Sequence, residues 1–186
     1  MNKDKSMILE HKFCLTGTVL EVKDGTVISG YASLFDRTDQ SGDRVQKGAY
    51  TASLNRLKTK GASVKMLWQH DPAEPIGVWD EVREDERGLF VKGRILPDVA
   101  RGREAAALVS AGAIDGLSIG YRTIRAEKTA QGGRALHELE LWEVSLVTFP
   151  MLTDARVASK AEATGPDPMR ELAAIFNDAR DAMRLT

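Results

Sequence analysis

Hydrophobic and polar residues alternate along much of the chain between His11 and Phe149, which is the pattern of half-buried β-strands. Short polar segments that contain glycine or proline interrupt the alternation and predict turns. The strands predicted in this way cover residues 11–22, 26–35, 63–68, 76–83, 88–96, 117–124 and 135–149. Because strand follows strand without regular intervening helices, the order favours an antiparallel sheet or barrel.

Two short helices are predicted between the strands. The first covers residues 50–58. The second begins at Asp98, whose carboxylate can accept from first-turn amides, and follows an alanine-rich run to Ser110, with Gly112 ending it. Residues 36–48 have too few apolar positions for a strand and are predicted to form a polar loop. The prediction is a β-rich α+β fold, a single domain built on an antiparallel β-barrel of about seven strands with a few helices.

The patterning also divides the chain into three parts. Residues 1–10 are predicted to be a flexible N-terminal arm, residues 11–158 the globular domain, and residues 159–186 a separate C-terminal segment. Within that segment, small polar residues and proline at 159–168 predict a linker. Apolar residues at helical spacing in 171–185 then predict an amphipathic helix.

The chain has 186 residues and a formal net charge of −1, with 26 Lys and Arg interspersed among 27 Asp and Glu. This balance gives no basic surface for nucleic acid and no attraction to an anionic membrane. Met1–Glu10 is polar and no apolar run approaches the length of a membrane span, so neither a signal peptide nor a membrane anchor is expected. The single cysteine, Cys14, excludes an internal disulfide, and no cluster of His, Asp and Glu has the spacing of metal ligands. We expect a cytoplasmic protein without a metal or other cofactor.

Candidate chemistry centres on Ser118, in the segment Gly116-Leu117-Ser118-Ile119-Gly120. The G-x-S-x-G pattern often marks a nucleophilic serine, and its glycines remove Cβ atoms that would obstruct approach to the hydroxyl. In α/β-hydrolases the motif forms a strand-to-helix turn, and an acidic residue and a histidine follow the serine. Residues 121–124 instead predict a continuing strand, which excludes that architecture. On a strand, Ser118 shares a face with Gly120 and Arg122, while its two neighbours face the core.

A serine hydroxyl is a weak nucleophile at neutral pH and needs a base within hydrogen-bond reach, normally a histidine. Of the three histidines, His11 and His137 are predicted to be solvated strand residues. His70 comes directly after the apolar strand 63–68 and before Asp71-Pro72, where proline is expected to block continuation of the strand. Because catalytic groups are common where a rigid strand meets a loop, His70 is the candidate base. A loop histidine that is hydrogen-bonded to Asp71 is the structural alternative.

Glu143 is the ionisable group of the otherwise uncharged run from residue 141 to 149. On a regular strand it shares a face with Leu141 and Ser145, where an unpartnered carboxylate is costly. It therefore either pairs with an arginine or orients a histidine and stabilises its imidazolium form. Glu140 is the competing carboxylate and is predicted to point to the opposite face, into solvent.

Four segments carry a further signal. They are Gly30-Tyr31-Ala32-Ser33-Leu34-Phe35 continuing through Gly42-Asp43 to Lys47-Gly48-Ala49-Tyr50, then Met66-Leu67-Trp68-Gln69-His70-Asp71-Pro72 closing with Pro75-Ile76-Gly77, then Gly116-Leu117-Ser118-Ile119-Gly120-Tyr121, and Glu143-Val144-Ser145-Leu146-Val147-Thr148-Phe149-Pro150 followed by Ala155. In order and spacing they cover about residues 28–158. Together they resemble the prohead proteases of HK97-type tailed bacteriophages, the capsid-maturation serine proteases. Lys47 replaces a usual proline and residues 151–154 replace a usual asparagine-containing turn; neither departure touches His70 or Ser118.

The resemblance implies that His70 is the base and Ser118 the nucleophile, with Glu143 preferred to Glu140 as the third member. It also implies a fold related to the herpesvirus assemblins, which are dimeric β-barrel serine proteases, so a homodimer is an expectation here. The implied substrates are scaffold or delta-domain segments of the major capsid protein, cleaved inside the assembling procapsid in the host cytoplasm. Self-cleavage in the linker 159–168 is a further expectation.

Two other functions remain open at this stage. One is a non-catalytic capsid assembly or scaffolding module that kept the fold and lost the activity. The presence of both His70 and Ser118 argues against it, since a degenerate copy readily loses one of them. The other is a small serine esterase, which would share the chemistry but turn over small esters without a protein partner.

Overall fold

The computed structural model describes residues 10–13, 21–23, 25–39, 41–130 and 132–148. The predicted arm up to residue 9, the linker and the C-terminal helix lie outside the described residues. Within them, nine strands form one sheet that carries two helices. The strands are β1 (Glu10–Phe13), β2 (Glu21–Lys23), β3 (Val27–Leu34), β4 (Arg44–Val45), β5 (Lys65–Trp68), β6 (Asp71–Glu84), β7 (Gly88–Ile95), β8 (Gly116–Lys128) and β9 (Arg134–Val147), and the helices are α1 (Thr51–Thr59) and α2 (Ala100–Ser110).

The strands are ordered β1-β8-β9-β5-β6-β7-β3-β2, and β4 pairs with β9 outside this path. The sheet curls, because β3 contacts β8 although four strands separate them in the order. The predicted β-rich α+β class is confirmed, but the sheet is mixed: β9 pairs in parallel with both β4 and β5. Alternation of hydrophobic residues indicates a half-buried strand and says nothing of the direction in which it pairs.

Four local predictions were wrong. The predicted strand over residues 11–22 is divided between β1 and β2, which lie at opposite ends of the strand order, and the predicted loop 36–48 contains β4. Strand β6 begins at Asp71, so Pro72 does not block it. Among the described residues, the first part of β6 pairs with β5, across a register shift, and pairing of β6 with β7 starts at Gly77. The edge of β6 that later faces β7 is therefore not paired at Pro72, and no ladder hydrogen bond to β7 is required of the proline. Helix α2 has Val99 at its N-cap, not Asp98, and no side-chain cap. Gly112 ends this helix as predicted, with a φ angle of 71°.

One face of the β8/β9 ladder belongs to the hydrophobic core. Its buried side chains are Leu117, Ile119 and Tyr121 of β8 and, opposite them in register, Leu146, Val144 and Leu141 of β9. Side chains alternate along a strand, so Gly116, Ser118 and Gly120 belong to the other face. The prediction that Ser118 lies on the face away from the core is confirmed.

The second edge of β9 is covered from end to end. After β4, the carbonyl of Ala49 accepts from the Leu139 amide at 2.9 Å, and the Ser53 hydroxyl of α1 accepts from the Leu141 amide at 2.9 Å. Strand β5 then pairs with residues 143–146. Strand β9 is thereby held on both sides, which makes it a rigid support for the side chains it presents.

Asp43 ties the polar loop to the beginning of β9. The side chain is buried, and its carboxylate accepts from the backbone amide of Arg134 at 3.0 Å, from Nε at 3.1 Å and from Nη2 at 2.6 Å. We expect Asp43→Asn to lower the free energy of unfolding by about 2 kcal/mol, because hydrogen bonds to a charged group are lost at a buried site. Urea unfolding measures this. Asp80→Asn, at an exposed pair with Arg94, is the control with a much smaller effect; equal losses would contradict the account.

Candidate active site

His70 lies in a strained two-residue turn between β5 and β6. Gln69 and His70 have φ angles of 52° and 64°, and the flanking Trp68 and Asp71 are paired. Two consecutive positive φ angles in such a connection are typical of a type I′ hairpin turn, where Asn-Gly is preferred. A non-glycine residue in this region costs about 1–2 kcal/mol, and such strain persists only where the surroundings hold it in place.

Four hydrogen bonds tie this turn to the end of β9. The Gln69 amide donates to the Leu146 carbonyl at 3.0 Å, and the His70 amide donates to Ser145 Oγ at 3.1 Å. The Gln69 side chain donates from Nε2 to Thr148 Oγ1 at 2.6 Å and accepts from the Thr148 amide at 3.4 Å. These bonds fix the backbone of His70 relative to β9, and they thereby fix the position from which the imidazole side chain extends.

The three predicted site residues lie together. His70 Nε2 is 2.6 Å from Ser118 Oγ, and His70 Nδ1 is 2.6 Å from Glu143 Oε1. Ser118 is fully buried, and the side chains of His70 and Glu143 are 11% and 5% exposed. Of the two histidines that were expected to be solvated strand residues, His137 lies elsewhere on β9, with Nε2 3.5 Å from Glu127 Oε2.

The heavy-atom contacts are compatible with one direction of proton transfer, from Ser118 to His70, when Glu143 is ionised. An ionised carboxylate only accepts hydrogen bonds, so the proton between His70 and Glu143 belongs to Nδ1. Nε2 then carries a lone pair, which faces the Ser118 hydroxyl. In this tautomer His70 can accept the serine proton while Glu143 stabilises the resulting imidazolium, which is the arrangement of a nucleophile, a base and an orienting acid.

A β-bulge separates the two candidate carboxylates. Gly120 pairs with Glu143 and Tyr121 with Leu141, which leaves Trp142 as the extra residue of β9. Beyond this bulge Glu140 is opposite Arg122, with Oε2 2.6 Å from Nη2 of the arginine. The bulge thus reverses the alternation of β9 relative to β8.

Two predictions about strand faces were therefore wrong. Glu140 was expected on the face opposite to Glu143 and in solvent, whereas it pairs with Arg122 on the face that Ser118 and Gly120 share. Leu141 was expected beside Glu143, whereas it lies in the core. Counting in steps of two fails across a bulge. Of the two partners considered for Glu143, an arginine and a histidine, Glu143 has the histidine, and the arginine pairs with the partly exposed Glu140.

The second glycine of the G-x-S-x-G pattern makes room for the carboxylate. A Cβ atom on Gly120 would be 2.0 Å from Glu143 Oε1 and 2.8 Å from its carboxyl carbon, far inside van der Waals contact. The glycine is explained by clearance for Glu143, a role that the sequence pattern did not distinguish from clearance for a substrate.

Ser145 is the residue of this cluster to which sequence reasoning gave no role. It is fully buried, opposite Ser118 in the ladder, and its hydroxyl is 2.5 Å from Glu143 Oε2. The sequence signal that could have identified Ser145 was its position two residues after Glu143 on a strand, which places the two side chains on the same face. Within the described part of the chain, no group of three or more His, Cys, Asp or Glu residues could hold a metal ion. No helix there has the length and apolarity needed to cross a membrane.

Comparison with known proteins gives the family. The sequence model of the caudovirus prohead serine protease family matches residues 17–168 of this chain. The prohead protease of Enterobacteria phage HK97 is 32% identical over 163 residues, which cover 86% of this chain and 70% of that protein. The capsid polyprotein of Pseudomonas phage PAJU2 is 30% identical over 157 residues, which cover 76% of this chain and 22% of the polyprotein.

The fold also has a relative among solved structures. The capsid assembly protease of bacteriophage T4 superimposes with a TM-score of 0.58 at 17% sequence identity, covering 77% of this chain and 97% of that protein. At this identity the likeness concerns the fold, which is the fold of a protease. The matched segments contain the strands that bring His70, Ser118 and Glu143 together. By sequence, the chain belongs to the caudovirus prohead serine protease family.

Proposed function

We propose that this chain is a serine endopeptidase of capsid maturation with Ser118 as nucleophile, His70 as general base and Glu143 as the residue that orients His70. The observation that carries the proposal is the continuous contact Ser118 Oγ–His70–Glu143, with 2.6 Å at each step. Burial excludes bulk water from these contacts, so the charges that develop during the reaction are stabilised by fixed groups.

In the proposed mechanism Ser118 Oγ attacks the carbonyl carbon of the scissile peptide bond and its proton passes to His70 Nε2. The imidazolium is stabilised by Glu143 and then gives the proton to the leaving amine as the C–N bond breaks, which leaves an acyl ester on Ser118. A water molecule attacks the ester with His70 again as base. The C–O bond to Ser118 breaks, and His70 returns the proton to the serine hydroxyl.

The substrate is proposed to be a scaffold or delta-domain segment of the major capsid protein, cleaved inside the assembling procapsid in the host cytoplasm. The relatives support this, since their names are prohead protease, capsid assembly protease and capsid polyprotein. Similarity to part of a polyprotein also fits self-cleavage, which we place in residues 159–168.

The finer architecture is likewise a proposal. We take residues 11–158 as the protease domain, with an N-terminal arm before it and a linker and amphipathic helix in 159–186. We take the curled sheet as part of an assemblin-like barrel that forms a homodimer. The even charge balance supports a protein partner over nucleic acid or a membrane.

Co-expression with the major capsid protein of the same genome tests the function. We expect shortening of the capsid protein with the wild-type chain and none with Ser118→Ala. Ser33→Ala removes a buried hydroxyl that has no hydrogen-bond partner among the described residues and is expected to act as the wild type does. Shortening that persists with Ser118→Ala would refute the assignment of the nucleophile. No shortening in any arm would favour an assembly module, and turnover of small esters alone would favour an esterase.

A further inference from the structure

We propose that Ser145 is a positioning residue of this active site, which orients Glu143 and the turn that carries His70. The inference rests on the proposed function and adds a fourth residue to it. Ser145 occupies the position of β9 directly opposite Ser118 in the ladder, so both side chains project to the same face of the sheet.

The hydroxyl of Ser145 makes two hydrogen bonds of opposite direction. A backbone amide can only donate, so the 3.1 Å contact with the His70 amide uses a lone pair of Ser145 Oγ. The single hydroxyl proton is then directed to Glu143 Oε2, 2.5 Å away. A side chain can link the two groups in this way only if one of its atoms both accepts and donates a hydrogen bond, as a hydroxyl oxygen does.

These contacts close a ring. The His70 amide donates to Ser145, Ser145 donates to Glu143 Oε2, and Glu143 Oε1 accepts from Nδ1 of His70. Each carboxylate oxygen has its own donor, so rotation of the carboxylate about its last bond would break both contacts. The ring thereby aligns Oε1 with the imidazole and holds Nε2 against Ser118.

The loss of Ser145 acts at two points of the ring. The side chain of Glu143 is 5% exposed, so Oε2 has little access to water that could replace the hydroxyl. The His70 amide belongs to the strained turn and loses its acceptor, which leaves the positive φ angle with less support. Both effects displace catalytic groups without removing any of them.

We expect Ser145→Ala to lower kcat about 10- to 100-fold with KM within about threefold of the wild-type value, as displacement of positioned groups does. Ser145→Thr keeps a hydroxyl and is expected to recover most of the lost kcat. The substrate is a peptide that spans the junction mapped by co-expression. Ser53→Ala is the matched control: it removes another buried hydroxyl that hydrogen-bonds β9, at the Leu141 amide, and is expected to lower stability and leave kcat unchanged.

A double-mutant cycle separates positioning from a merely structural role. If Ser145 acts in part through Glu143, then Ser145→Ala in a Glu143→Ala background is expected to lower kcat by a clearly smaller factor than in the wild type, because only the contact with the His70 amide is left to lose. Losses that multiply in the double variant would overturn the inference, and so would wild-type kcat in Ser145→Ala. Both results leave Ser118-dependent cleavage by the wild type intact. Absence of that cleavage would instead refute the proposed function together with this inference.

Discussion

Glu143→Gln is expected to lower kcat by about 10³- to 10⁴-fold with little change in fold, because the amide favours the wrong tautomer of His70. The Ser145 hydroxyl donates to the atom at the Oε2 position, which favours the amide oxygen there and turns the NH₂ group toward His70 Nδ1. Nδ1 must then accept, so Nε2 carries the proton and cannot take another from Ser118. The measurement is kcat on the junction peptide, with circular dichroism to check the fold.

Glu140→Gln is the matched control for this substitution. Glu140 is on the same strand, three residues away, and its partner is Arg122 rather than His70. Both side chains of that pair are partly exposed, so its loss is expected to change kcat by less than about threefold and stability only slightly. If Glu140→Gln were the inactive variant and Glu143→Gln the active one, the assignment of Glu143 as the third member would be wrong.

Gly120→Ala is expected to lower kcat by at least about 10²-fold, which is a large effect for the addition of one methyl group. The new Cβ atom would be 2.0 Å from Glu143 Oε1, so the carboxylate must leave its position against His70 Nδ1. Circular dichroism and thermal unfolding are expected to show a folded protein of lower stability, because the clash is with a side chain and not with the backbone.

The control for Gly120→Ala is the same change in a background that lacks the carboxylate. Glu143→Ala removes the atoms that the new methyl group meets, so Gly120→Ala added to it is expected to cause less than about threefold further loss of kcat. A full additional loss would mean that the methyl group acts on something other than Glu143, such as the bound peptide. A wild-type kcat for Gly120→Ala alone would contradict the geometry of the site.

Where a strand is regular, the sequence alone was sufficient to predict the face of the strand on which each side chain lies. Strand β8 alternates without interruption from Gly116 to Thr123, so the face of Ser118 followed from counting alone. The same counting failed for Glu140, because Trp142 forms a bulge whose position depends on the pairing with β8 and not on the local sequence of β9. The conclusion that Glu143 needs a partner was sound, since it came from the cost of a buried carboxylate.

Other features depend on contacts between distant parts of the chain. The parallel pairing of β5 with β9 brings Trp68 opposite Leu146, and only this pairing places the Gln69-His70 turn over Ser145. Positive φ angles at Gln and His are disfavoured locally and are maintained by the hydrogen bonds to β9. Pro72 lies in a strand because, among the described residues, β7 does not pair with this part of β6, and no local pattern reveals that.

The most direct test of the central claim, that His70 activates Ser118 as a nucleophile, is covalent modification of the full chain by a fluorophosphonate, followed by intact-mass measurement and peptide mapping. We expect one phosphonyl group per chain, on Ser118, and a rate of modification at least about 10²-fold lower in His70→Ala. Modification of a different residue, or an equal rate in His70→Ala, would contradict the claim.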